Sequence, residues 1–153
     1  MLSQRSLKSS LIAALVVVAA CGSDSTAPSG PLNIAGAWTL NLNISNSQLA
    51  ASCTAQNVVV VFTQTGSTFT GTASSGNQIC SGGGTSQSNS LAGTTWSGGQ
   101  VNGTSVSFAS QGGCSITGTV TGNPPNHMSG SLACPLAING STFTFTGTWT
   151  GSR

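Results

Sequence analysis

From Ser25 to Ser152 the chain carries no Asp, Glu, Lys or Arg. Such a stretch lacks the charged side chains that favour exposed helices and that proteins commonly use to blunt sheet edges. Closing a sheet on itself is then one of the few devices left for removing exposed edges. What remains is rich in Ser, Thr, Asn and Gly, with three Trp and five Phe among them. Low net charge together with these aromatics and several Val clusters argues for a packed core rather than for disorder.

The apolar residues recur with period two. Trp38, Leu40, Leu42 and Ile44 fall on one face of Gly36–Ser45, with Thr39, Asn41, Asn43 and Ser45 on the other. Near the end, Phe143, Phe145, Gly147 and Trp149 alternate with Thr142, Thr144, Thr146, Thr148 and Thr150. These are half-buried strands with polar outer faces, and no period of 3.6 residues competes with them. Turn signals separate the runs: Gly66-Ser67, Asn102-Gly103, Gly122–Asn126 and Asn139-Gly140. About eight strands in meander order result, with the longest interruptions near 46–52 and in the Gly/Ser-rich 75–90. An all-β antiparallel up-and-down barrel, shaped like a lipocalin, removes every exposed edge and is the expected fold. A two-sheet β-sandwich of the same strands is the alternative.

Hairpin register also pairs four of the five cysteines. A two-residue turn at Gly66-Ser67 sets Thr65 opposite Thr68. Equal steps outward on both strands bring Cys53 opposite Cys80. A five-residue loop at 122–126 sets Thr121 opposite His127 and brings Cys114 opposite Cys134. In that second hairpin Cys114, Ile116, Gly118 and Val120 face Cys134, Leu132, Gly130 and Met128, one apolar face throughout. The register of the first pair is exposed to any shift at Gly76.

The fifth cysteine, Cys21, is explained by the first thirty residues. Arg5 and Lys8 precede the apolar run Leu11–Ala20, the pattern of a secretory signal peptide and too short for a membrane span. Val18-Ala19-Ala20-Cys21 resembles the bacterial lipobox. That resemblance implies cleavage before Cys21 and lipidation of its thiol; an ordinary signal peptide with an unrelated cysteine is the alternative. Residues 1–20 are then the signal peptide, 21–32 the lipidated cysteine and a flexible tether, and 33–153 a disulfide-stapled domain. Two or more acyl chains give stable anchoring in the cell envelope. Gly22, where Asp would mark inner-membrane retention in similar lipoproteins, implies the outer membrane if the host has two membranes.

The same absence of charge excludes function classes. A nucleic-acid site needs a basic surface, and paired-carboxylate hydrolysis needs carboxylates. His127, the one imidazole, follows the turn Pro124-Pro125-Asn126 and has no acid to orient it. The domain is read as non-enzymatic, with neither cofactor nor metal.

Gly36-Ala37-Trp38 resembles the Gly-x-Trp opening of lipocalins, and Arg153 after the last strand is similar to their closing arginine. Thr68–Thr72 and Thr94–Gly98 resemble strand segments of avidin-type barrels. The chain departs from both families in having no tyrosine and no charged pocket residue, and the second lipocalin motif and C-terminal helix are missing. The resemblance therefore implies a barrel shape and not a biotin or retinoid site. Trp38, Phe62, Phe69, Trp96, Phe108, Phe145 and Trp149 are expected either to form the core or to line a cavity. The expected role is a membrane-anchored envelope lipoprotein with a structural or surface-interaction domain that touches an envelope polymer or protein. Binding of a small apolar molecule inside the barrel is the alternative.

Overall fold

The structure, a computed structural model, describes residues 30–153. The signal peptide (1–20), the lipidation site Cys21 and most of the tether lie outside the described residues.

Among the described residues there are nine strands and no helix. They are β1 (Gly36–Asn46), β2 (Ala51–Thr65), β3 (Thr68–Gly82), β4 (Thr85–Ser90), β5 (Thr95–Asn102), β6 (Ser105–Ser110), β7 (Ser115–Thr121), β8 (His127–Ile138) and β9 (Ser141–Ser152). All pairings are antiparallel, and β1 pairs with both β2 and β9, so eight strands close into an up-and-down barrel. The ninth, β4, lies in the Gly/Ser-rich 75–90 segment expected to be a connection. Its six side chains are all exposed, so no burial pattern marked it. Strands β4 and β5 both run antiparallel to β3, along its second and first halves respectively. They form one interrupted path, broken at Leu91–Thr94.

Apolar side chains fill the inside, and Ser, Thr and Asn cover the outside. A membrane-spanning barrel has the opposite arrangement, with an apolar band facing lipid. The hairpin turns at Gly66-Ser67 and Asn139-Gly140 form where expected. The β5–β6 turn instead takes Gly103-Thr104, one residue beyond the expected Asn102-Gly103. That shift sets the buried Val101 directly opposite the buried Val106 rather than opposite a threonine.

Both disulfides form in the expected pairs, Cys53–Cys80 and Cys114–Cys134. The β2–β3 register does slip near Gly76, but twice and in opposite senses. Val59 pairs with Ser75 while Gln56 pairs with Asn77, so the offset is cancelled before Cys53 meets Cys80. Gly76 sits at φ 125°, and a β-carbon there would lie 2.8 Å from the Val58 backbone. Glycine is what lets Val58 stay fully buried at this bulge.

Candidate functional site

The two ends of the barrel differ. One end carries the turns at 66–67 and 103–104, the 122–126 loop and the C-terminal Arg153. Residues Leu32–Ala35 fold across it before β1 begins. The Ile34 N–H donates to Gln64 Oε1 at 2.7 Å, and Gln64 Nε2 donates back to Leu32 O at 2.9 Å. Trp38 Nε1 donates to Ile34 O at 2.8 Å. Ile34 and Trp38 are buried, and the Arg153 guanidinium lies 4.6 Å from the Trp38 ring centroid. The same guanidinium donates to the carbonyls of Pro125 (2.7 Å), Ala35 (2.7 Å) and Asn33 (3.1 Å). The one Asp, Glu, Lys or Arg side chain among the described residues thus ties the entry segment to the exit of the last strand, and this end is closed.

Inside the closed half the aromatics pack on one another edge to face. Phe62 and Phe69 have centroids 5.3 Å apart, Phe69 and Phe108 5.6 Å, and Phe108 and Trp149 5.5 Å. Trp38, Phe62, Phe69, Phe108 and Trp149 are therefore core. Trp96 and Phe145 are also buried but lie nearer the other end: Trp96 belongs to the same core and lines a cavity there, and Phe145 lines a groove beyond it.

That other end is open. A cup of 240 Å³ lies above the aromatic core, walled by Leu42, Ile44, Ala55, Leu91, Trp96, Ile116 and Leu132, with Cys53, Cys114 and Cys134 at the rim. Its polar neighbours are uncharged, namely Thr54, Gln78, Thr94 and Ser110. A cup this size falls below the roughly 300–1,000 Å³ of sites that enclose a drug-sized molecule. It holds a small group or the end of a longer one.

The cup does not stop at a level rim. Strand β7 begins at Ser115 opposite Ala133, whereas β8 continues from Cys134 to Ile138. Likewise β2, β3, β4 and β9 overshoot the 111–114 turn that joins β6 to β7. The result is a tall wall built from β8, β9, β1, β2, β3 and β4, and a low wall where β6 and β7 end. The inner surface of the tall wall is a trough of 460 Å³, lined in part by Leu49, Ala51, Leu136, Ile138 and Phe145. Cys53, Cys80, Leu136 and Phe145 also line a hollow that runs down toward the cup, so the surfaces are continuous. Leu136, at 46% exposure, is the most open apolar residue of this trough.

Sequence reasoning named the aromatics but missed this trough. It is built by aliphatic residues and by strand ends of unequal length, and no motif marks either. Two further features lie elsewhere. His127 opens β8 at the closed end and is exposed there, remote from the cup. A shallow uncharged hollow on the outer face, lined by Gln100, Ser107, Thr117, Thr119, Ser129 and Ser131, crosses β5 to β8. Among the described residues no group of three or more His, Cys, Asp or Glu is placed to hold a metal ion, and the four cysteines gathered near the cup are paired in disulfides.

Comparison with protein-family models, with characterised proteins and with solved structures finds no match.

Proposed function

We propose that this chain is an envelope lipoprotein, anchored through Cys21, whose domain binds a neutral apolar ligand at the open end of its barrel and performs no catalysis. The observation that carries this reading is the polarity of the barrel. The chain enters at the closed end through Leu32–Ala35, and the apolar cup opens at the opposite end. An anchor at Cys21 therefore attaches at the end opposite the cup and leaves the cup free of the attachment point, where a ligand can reach it. The tether of about ten residues spans up to about 35 Å and leaves that face accessible. The absence of charge in cup and trough selects for uncharged ligands, because a buried charge would find no partner there. The Trp38–Arg153 contact also supports the resemblance to lipocalins, as a matter of barrel architecture.

The outer hollow over β5 to β8 favours a second reading. Its hydroxyls and amides suit contact with a neutral envelope polymer such as a polysaccharide.

Two measurements test these readings. The intact mass of membrane-extracted protein is expected to show cleavage before Cys21, two or three acyl chains, and four oxidised cysteines. A mass that includes residues 1–20 would sink the anchor. For the cup, titration of the protein with the neutral fluorophore N-phenylnaphthylamine is expected to give saturable enhancement. Leu91→Trp, which places an indole in the cup, is expected to weaken binding at least about tenfold while the barrel stays folded. No uptake, together with co-sedimentation on envelope polysaccharide, would transfer the function to the outer hollow.

A further inference from the structure

We propose that the free edge of β4 is a docking site for an extended, uncharged peptide segment of a partner protein, which adds a strand to the tall wall above the cup. The inference rests on reading the open end as the binding face, and names a partner for it.

The hydrogen-bond phase of the sheet fixes what β4 offers. Leu91 N–H donates to Gly76 O at 2.8 Å, and the β3–β4 register continues from that pair. Alternate residues therefore bond to β3: Thr85 with Gly82, Gln87 with Cys80 and Asn89 with Gln78. The backbone N–H and C=O groups of Ser86, Ser88 and Ser90 point the other way. Among the described residues nothing pairs with them.

The other edges left by the uneven wall are blunted. Arg153 N–H donates to Asn126 O, which sets the phase of β8–β9 and turns Pro135 and Ala137 toward the open side of β8. Proline there removes one of the two outward donors, a known way of closing an edge. On β9 the pairing with β1 ends at Thr146, and the next outward carbonyl, Thr144 O, accepts from the side-chain amide of the buried Asn46 at 2.8 Å. Among the described residues only β4 keeps its full set of donors and acceptors, with no proline, bulge or charge.

The space beside it has the width of strands. Going round the barrel from β4 to β8, the missing positions are those of β6 and β7, a gap of roughly 14 Å at normal strand spacing. A strand added to β4 sits in this gap with its backbone bonded to Ser86, Ser88 and Ser90. Every second side chain then points into the trough, toward Leu136 and Phe145. Backbone bonding supplies affinity and the apolar floor supplies selectivity for alternating apolar residues, as in other strand-addition complexes. A charged residue at an inward position would be unpaired.

The probe is a capped heptapeptide alternating threonine and valine, added to the full lipidated protein in lipid nanodiscs. Amide exchange at Ser86, Ser88 and Ser90 is expected to slow at least about tenfold on binding. Ser88→Pro removes an outward N–H without touching the β3 ladder, and is expected to weaken the peptide about tenfold. N-phenylnaphthylamine uptake, measured against empty discs, is expected to be unchanged in that variant. Fluorophore uptake without peptide protection of those three amides would overturn the docking site and leave the cup standing; failure of both would remove both. Self-association of the protein that Ser88→Pro abolishes would give the edge to a second copy, and would also overturn the proposal.

Discussion

A chain with Cys53, Cys80, Cys114 and Cys134 all changed to alanine is expected to lose about 7 kcal/mol of stability, and to be largely unfolded at room temperature. The bridges close segments with sequence separations of 27 and 20 residues. In the chain-entropy account each restricts the unfolded state by roughly 3–4 kcal/mol. Native domains of this size have only about 5–15 kcal/mol in total. The core supplies less than usual at the open end, where the cup replaces packed side chains. The two pairs are separable by position: Cys114–Cys134 holds the low wall to the tall one, and Cys53–Cys80 ties β2 to β3 within the tall wall. Losing the first is expected to abolish N-phenylnaphthylamine uptake at urea concentrations where the closed-end aromatics are still ordered. The check is urea unfolding of the double-pair variant and each single-pair variant, followed by far-UV circular dichroism. An unfolding free energy within about 1 kcal/mol of the native chain's would mean that the barrel is held by its core alone.

The barrel was legible because its signals are local. Alternation marks β1, β7 and β9, and the turns at 66–67 and 139–140 and the loop at 122–126 mark three of the hairpins. Since register within a hairpin follows from its turn, both disulfides could be assigned without a structure. What failed to show has a common cause. Strand β4 lies in the segment 75–90 and is exposed on both faces, so backbone pairing alone makes it a strand. The offset at Gly76 and its cancellation are equally invisible, because they depend on how Val58 packs across the sheet. The candidate site inherits this difficulty. Cup and trough exist because β6 and β7 stop short of their neighbours, a relation among strands far apart in the chain. Trp96 and Phe145 look no different in the sequence from Phe69 and Phe108, yet only the first two reach the open end.

Within the closed half the largest single-residue effect is expected at Trp149. Changing it to alanine is expected to cost about 4 kcal/mol, near the middle of the range for buried aromatic truncations. The indole is only 2% exposed and spans three strands. It starts on β9 opposite Gly130 of β8, passes over Gly118 of β7, and donates from Nε1 to Thr117 O at 2.9 Å. Neither glycine tolerates a side chain: a β-carbon on Gly130 would fall on the Thr117 carbonyl, and one on Gly118 would meet the Trp149 ring and the Ser129 carbonyl. The ring thus covers a strip of the wall that has no side chains of its own. Alanine leaves that strip empty and takes the edge contact from Phe108. Trp149→Phe separates the two contributions, since phenylalanine fills part of the volume but cannot donate to Thr117 O. Its cost is expected to be about 2 kcal/mol, of which about 1 is the hydrogen bond. Urea midpoints at constant slope measure both changes. A cost for alanine below about 2 kcal/mol would mean that the wall collapses over the glycines and that Trp149 does not set the spacing of β7, β8 and β9. The expected larger value would make it the register lock of that side, because a one-residue slip of β9 turns the indole out to solvent and opens the strip over Gly118 and Gly130.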